Sequence, residues 1–216
     1  MKLLAVDTAL GACSVALIEE ECVLAHRHQL MDRGHAEALA PMVEDAMRGT
    51  AFAELDRLAV TTGPGTFTGQ RVGLAFMRGL RVALCRPLIG ITTLAAMAEA
   101  AKVETGLTHA IALHDARRDE IYFEVDGLLP PAVLPFNQAV QVLCGLPGDA
   151  PIALAGTAAS RACDALAKRF VLSSVRQPDA LWVARLAAKA EGTGAAPRPL
   201  YLRAPDAKLP ATSPRP

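Results

Sequence analysis

Three places in the 216-residue chain gather residue types that could do chemistry. The first is Asp7-Thr8, at the end of the apolar run Leu3-Leu4-Ala5-Val6. A carboxylate leaving a buried strand is where mixed α/β folds direct magnesium or phosphate; a turn carboxylate bonding its own loop explains the same residues equally well. The second is Gly63-Pro64-Gly65-Thr66-Phe67-Thr68-Gly69, which could cradle an anion at a helix N-terminus. It lacks the lysine and spacing of a P-loop and is not G-x-G-x-x-G. Thr68 as the cap of the following helix accounts for it without a ligand, so a structural turn is the favoured reading. The third is His114-Asp115. The further ligands that a metal phosphohydrolase pair needs are absent, and Asp115 before a hairpin serves equally as a turn residue.

Other constellations fall short. Two histidines at i and i+4 could hold a metal from one helix face, but after His35 the i+4 position is Leu39, and Glu37 points about 200° away. His35 therefore reads as a boundary or interface residue. No G-x-S-x-G elbow exists and no Ser-His-Asp or Cys-His set can be assembled. Cys13, Cys22, Cys85, Cys144 and Cys163 are odd in number, widely spaced and free of any C-x-x-C pair. They indicate small buried hydrophobes in a reducing compartment, with neither zinc nor a disulfide framework.

The elements that must position these residues follow from the apolar pattern. Strands are expected over 3–6, 13–18 and 23–30, joined by the turns 7–11 and Glu19-Glu20-Glu21 as a meander. An amphipathic helix follows over about 34–48, with Ala36, Leu39, Ala40, Met42, Val43, Ala46 and Met47 on one side. A strand over 58–62 leads through the Gly-rich loop into a second helix over about 70–84. Its polar residues Gln70, Arg71, Arg78 and Arg81 fall within an arc of about 100°, which Leu74 shares. An apolar arc of about 260° is too wide for one sheet face, so this helix is expected to be buried on two sides. Val72, Ala75, Gly79 and Ala83 form a small-residue seam on it. A strand over 87–90 and a helix capped by Thr92 and ending near Ala101 complete a βββαβαβα first half.

The second half is sparser. Strands are expected over 110–113, 120–125 and 152–156, and helices over about 157–168 and, capped by Asp179, to about Ala190. The stretches 127–135 and 145–148 read as Pro/Gly-rich and irregular. The tail from Ala195 is proline-rich, and its last part is expected to be flexible.

Composition narrows the function classes. Hydrophobic residues make up 52% and aromatics 4%, so the core must be Ala, Val and Leu, and wholesale disorder is excluded. With 22 basic and 22 acidic residues the net charge is zero, which argues against a nucleic-acid stripe. The basic clusters, Arg78 with Arg81 and Arg117-Arg118, are short, so RNA contact is expected to run through a partner. Asp7 interrupts any signal-peptide core, and no run reaches the roughly 18 apolar residues of a membrane helix. A soluble cytoplasmic protein is the expectation.

Taken together, Asp7-Thr8-Ala9-Leu10-Gly11, His35-Ala36-Glu37 and Gly63-Pro64-Gly65-Thr66-Phe67-Thr68-Gly69-Gln70-Arg71-Val72-Gly73 resemble the TsaB (YeaZ) family. Ile91-Thr92-Thr93-Leu94, Asp115-Ala116-Arg117-Arg118-Asp119-Glu120-Ile121-Tyr122 and Pro199-Leu200-Tyr201-Leu202-Arg203 resemble it too. The Gly-rich stretch is the specific element and the other pieces support it.

The resemblance implies an α/β fold of the actin-like ATPase and sugar-kinase (ribonuclease H-like) type, with two related lobes over 1–100 and 101–205, a last helix that can pack back on the first lobe, and a flexible 206–216. It implies a non-catalytic, glycoprotease-like subunit for N6-threonylcarbamoyladenosine in tRNA beside the anticodon of ANN-decoding tRNAs. TsaD is the catalytic paralogue, TsaE joins as an ATPase, and tRNA is reached indirectly. ATP and metal are expected on the partners, with no cofactor here; Asp7, Thr8 and Asp115 are vestigial nucleotide-site candidates. Homodimer and TsaD contact are expected through the first two helices, at His35, Leu39, Val43, Met47, Val72, Ala75, Phe76, Gly79, Leu80 and Ala83. The alternatives are a sugar-kinase-type phosphotransferase, with Asp7 and Asp115 directing Mg²⁺, and a metallopeptidase-like hydrolase.

Overall fold

A computed structural model of the chain describes residues 1–125, 128–166, 169–191 and 196–203. The first half forms a five-stranded sheet from β1 (Lys2–Asp7), β2 (Ala12–Glu19), β3 (Cys22–Leu30), β4 (Arg57–Gly63) and β5 (Leu88–Thr92), in the order β3-β2-β1-β4-β5. β1, β2 and β3 pair antiparallel, whereas β1, β4 and β5 pair in parallel. The helices are α1 (His35–Ala46), α2 (Phe67–Leu84) and α3 (Thr93–Thr105), with a short 3₁₀ turn at Phe52–Glu54.

The second half builds another five-stranded sheet from β6 (His109–Asp115), β7 (Glu120–Val125), β8 (Leu129–Pro135), β9 (Ile152–Ala155) and β10 (Phe170–Leu172). Read from its far edge, the order is β8-β7-β6-β9-β10, strand for strand the arrangement of the first sheet. Its helices are α4 (Phe136–Cys144), α5 (Ala159–Ala165) and α6 (Ala180–Lys189). The molecule is a two-lobe α/β fold of related halves.

The near-continuous apolar runs of β1, β2 and β4 follow from burial on both faces. On one face Leu4, Val6, Val15, Leu17, Leu58 and Val60 meet Leu39, Val43 and Met47 at α1 and Leu74 and Met77 of α2. On the other, Leu3, Ala5, Ala16, Ile18 and Ala59 meet Ala180, Val183, Ala184 and Ala187 of α6. The last helix of the second half thus completes the first lobe. Asp179 caps it, accepting from Leu181 N at 2.9 Å and lying 2.8 Å from His26 Nε2, while Ala180 N donates to Ser14 Oγ at 2.8 Å.

α3 makes the reciprocal exchange. Leu94, Met97, Ala98 and Ala101 pack against Ala110 and Ala112 of β6 and Ala153 and Ala155 of β9. A helix held between two sheets needs short side chains on most of its circumference, and this explains the alanine bias and the scarcity of aromatics. Four clusters, not one, absorb the apolar content.

Several expectations need correction. A lobe boundary at 100 cuts α3, which continues to Thr105 and ends at the left-handed Gly106. The irregular reading of 127–135 gives way to β8, an edge strand whose Pro130 and Pro131 are tolerated because only one side must pair; Gly127 itself lies outside the described residues. Neither α4 nor β10 was expected, and the helix expected over 157–168 is confined to Ala159–Ala165, with Lys168 outside the described residues. The start of the tail at Ala195 and the expected flexible 206–216 also lie outside them. Among the described residues no helix is long and apolar enough to cross a membrane.

Candidate functional site

Asp7 ends β1 with no exposure to solvent. Its Oδ1 accepts from Thr61 Oγ1 at 2.6 Å and from Ala9 N at 3.2 Å, and its Oδ2 has no partner among the described residues. Burial pushes the carboxyl group up to about 7, against the pull of Thr61 and the Ala9 N–H. Thr8 is also buried; its hydroxyl donates to Gly69 O at 2.7 Å and accepts from Gly73 N at 3.0 Å. It knits the β1 end to the first turn of α2.

The Gly-rich loop is shaped by this contact. A Cβ on Gly65 would collide with the carbonyl oxygen of Ala9, and one on Gly69 with that of Thr8. Thr66 N donates to Ala9 O at 2.8 Å. Two backbone segments therefore lie against each other where only glycine leaves room. Thr66, not Thr68, caps α2, accepting from Gly69 N at 3.1 Å, so the helix begins at Phe67.

Amide groups that could have held a phosphate are occupied from within. Ala9 N goes to Asp7, Gly69 N to Thr66, and Gly11 N to the carboxamide oxygen of Gln177 at 2.9 Å. These are the groups that a magnesium nucleotide would call on. The carboxylate that would direct the metal is sealed in, and the turns that would meet the phosphates bond to their own chain.

Asp115 stands apart, exposed at the end of β6. Its Oδ1 accepts from Arg117 N at 2.7 Å, and its own N–H donates to Thr157 Oγ1 at 2.9 Å. It shapes the turn in which Arg117, Arg118 and Asp119 take φ values of 65°, 57° and 59°. A depression of about 330 Å³ beside this turn is lined by Asp115, Arg117, Thr157 and Arg161, among others. Arg161 is paired with Asp119 at 2.6 Å and Arg203 with Glu120. The hydrogen bonds of Asp7 and Asp115 are to separate partners. Among the described residues no three His, Cys, Asp or Glu side chains gather to hold a metal.

The first two helices divide differently from expectation. Leu39, Val43 and Met47 are 1%, 1% and 5% exposed in the core of the first lobe. They are support rather than surface, because the α1 stripe faces its own sheet. His35 is also buried, its Nε2 3.0 Å from Leu10 O, so it anchors the β1–β2 loop. On α2, Gln70 is buried with Leu74 and Met77, its Nε2 donating to Gly65 O at 2.9 Å, so it leaves the polar arc for the core, whereas Arg71 is exposed and Arg78 and Arg81 are half-buried. Phe76 and Leu80 pack partly on the lobe core. Ala75, Gly79 and Ala83 are exposed with Val72 half-buried beside them, and a Cβ on Gly79 would meet nothing within 4 Å.

Sequence reading missed the segment 196–203, which lies along α2. Arg78 donates to Pro197 O, Leu200 N bonds Thr62 O at 2.8 Å, Arg71 Nε donates to Tyr201 Oη at 2.8 Å, and Arg203 reaches Glu120 and the Arg117 carbonyl. The Pro-Leu-Tyr-Leu-Arg motif was the visible signal, but nothing in it names its partners.

Residues 27–129 match the family model of TsaD, tRNA N6-adenosine threonylcarbamoyltransferase. The TsaB protein of Escherichia coli K12 is 42% identical over 125 residues, covering 57% of this chain and 54% of the relative. The matched stretch thus spans about half the length of that curated relative. An uncharacterised protein of Mycobacterium tuberculosis H37Rv is 36% identical over 214 residues, covering 95% and 93% of the two chains. The solved structure of YeaZ from Pseudomonas aeruginosa is 34% identical, covers 93% of this chain and 99% of its own, and superposes with a TM-score of 0.78. By this whole-length likeness in sequence and structure, the chain belongs to the TsaB/YeaZ family.

Proposed function

We propose that this chain is the non-catalytic partner subunit in making N6-threonylcarbamoyladenosine beside the tRNA anticodon, docking on the catalytic TsaD in a complex joined by TsaE. The curated relatives are named for threonylcarbamoyladenosine biosynthesis. The observation that carries the subunit role is the pairing of two features in the first lobe. The turns that would serve a nucleotide are closed on themselves, while α2 presents Ala75, Gly79 and Ala83 bare to solvent. Small residues allow two helices to approach closely, so the natural occupant is a helix pair of like build: TsaD in the complex, a second copy when the chain is alone.

Ala75→Glu with Gly79→Glu tests this. Circular dichroism should be unchanged, because neither side chain enters the core. Association with TsaD, read by complex mass, should be lost, and modification in a reconstituted reaction with it. A folded double variant that binds TsaD normally sinks the reading.

A second reading, a sugar-kinase-type phosphotransferase, has one observation in its favour: the unpartnered Oδ2 of Asp7. Titration calorimetry with Mg-ATP separates the two. Heat at micromolar ATP that vanishes in Asp7→Asn supports phosphotransfer; absence of heat supports the subunit.

A further inference from the structure

Only two of the nine aromatic residues in this chain are exposed, Phe67 at 56% and Tyr201 at 44%. They stand together, stacked with centroids 5.8 Å apart and 25° between planes. The Arg71 guanidinium lies 3.5 Å over the Phe67 ring and bonds the Tyr201 hydroxyl at 2.8 Å. The polar tip of Tyr201 is used internally, so what this ledge offers outward is ring and guanidinium faces.

The charge around the ledge is one-sided. No Asp or Glu occurs between Asp56 and Glu99, a stretch holding Arg57, Arg71, Arg78, Arg81 and Arg86. Arg71 and Arg78 lie on one stripe of α2, about 20° apart, with Arg81 flanking it. Segment 196–203 lies along that stripe and adds the exposed Arg198. Among the described residues none of Arg71, Arg78, Arg81 and Arg198 pairs with a carboxylate, whereas Arg27, Arg161 and Arg203 do. In a chain of zero net charge, these four arginines form a local group of cations without carboxylate partners beside the exposed aromatics.

We infer that the Phe67–Arg71–Tyr201 ledge, with Arg78, Arg81 and Arg198, is a direct contact for single-stranded RNA: an unpaired base stacks on the ledge while the arginines meet the flanking phosphates. Splayed bases are held on aromatic and guanidinium planes, and arginines unbalanced by acids are the complement of a phosphate backbone. An acidic protein would satisfy the arginines but leaves the exposed rings unexplained. The bare seam of Ala75, Gly79 and Ala83 next to the ledge is uncharged and suits a protein. This inference rests on the tRNA role proposed above and adds a contact of this chain's own to the partner-mediated route expected from sequence.

The test uses the complex of the full chain with TsaD and an unmodified tRNA anticodon stem-loop. Arg71→Ala with Arg198→Ala should weaken binding about tenfold and reduce the slope of log affinity against log salt by about 1 to 2. Tyr201→Leu should lower affinity several-fold with the salt slope unchanged. A stem-loop carrying 4-thiouridine should crosslink to Phe67 or Tyr201 peptides. Because Tyr201→Leu also loosens segment 196–203, Arg198→Glu alone, on an exposed side chain, is the second variant and should act in the direction of the double. Unchanged affinity with intact assembly overturns the inference and leaves the subunit role standing. Variants that lose TsaD instead of RNA show a protein contact and also overturn it. A wild-type complex that neither binds nor modifies tRNA overturns both readings.

Discussion

Asp7 and Asp115 end equivalent strands of two sheets with the same strand order, and their environments are opposite. Asp7 is sealed under the Gly-rich loop with an oxygen to spare; Asp115 is exposed and spends its carboxylate on its own turn. The helices after β4 and β9 diverge in the same way. α2 runs 18 residues and keeps an uncovered face, whereas α5 runs seven and stays with its own sheet. A repeated topology has thus been put to two uses. The first lobe spends its loop on internal closure and its long helix on a surface, and the second supplies α6 to complete the first.

The largest test of that equivalence compares Gly63 with Gly156, which follow β4 and β9 directly or as their last residue, with φ values of 104° and 103°. Alanine at either is strained by its backbone conformation. At Gly63 the added carbon meets the end of the Gln70 side chain, which can shift; at Gly156 it collides with the backbone carbonyl of Leu113. Gly156→Ala should cost about 4 kcal/mol by adding overpacking to strain, and Gly63→Ala about 2 kcal/mol. Urea unfolding checks this, and equal losses would show that the two turns are not held differently.

The next effect separates the two helices of the first lobe. Leu39→Ala empties a site 1% exposed and should cost about 3 kcal/mol. Ala75→Ser, on the uncovered face of α2, should change stability by less than about 0.5 kcal/mol. If Ala75→Ser destabilises the chain comparably at concentrations where it is monomeric, that face is covered by something within the monomer, and the contrast between α1 and α2 fails.

That contrast marks where sequence reading ran out. β1, β2 and β4 could be read because burial on both faces writes an unbroken apolar run, and Asp179 could be read as a cap because its position before Ala180 leaves it no better use. Periodicity shows that Leu39, Val43 and Met47 share a stripe but not whether its partner is the chain's own sheet or another molecule. Thr66 and Thr68 are equally plausible caps until the Ala9 carbonyl fixes where the helix starts. Pro130-Pro131 argued against a strand because an edge position leaves no local signature. The bond from Gly11 to Gln177 joins residues 166 apart, beyond any motif.

The smallest effect returns to the ends of β1 and β6, as a pH dependence with two opposing contributions. Asp7 is raised by burial to about 7 from 3.8, so between those values the folded state holds a proton the unfolded state has released. Its contribution to stability falls as pH rises from about 4 to about 7. His114, the neighbour of Asp115, is lowered by burial to about 4 from 6.5, so the unfolded state holds the extra proton there. Its contribution rises with pH from about 4 to about 6.5. Asp7→Asn should therefore gain about 1 to 2 kcal/mol over the wild type at pH 8 and little at pH 4. His114→Leu should gain on the wild type below pH 6 and not above pH 7. Urea midpoints from pH 4 to 8 decide it: the two difference curves must slope in opposite directions, and parallel curves would mean that the sealing of Asp7 under the Gly-rich loop is not what distinguishes the lobes.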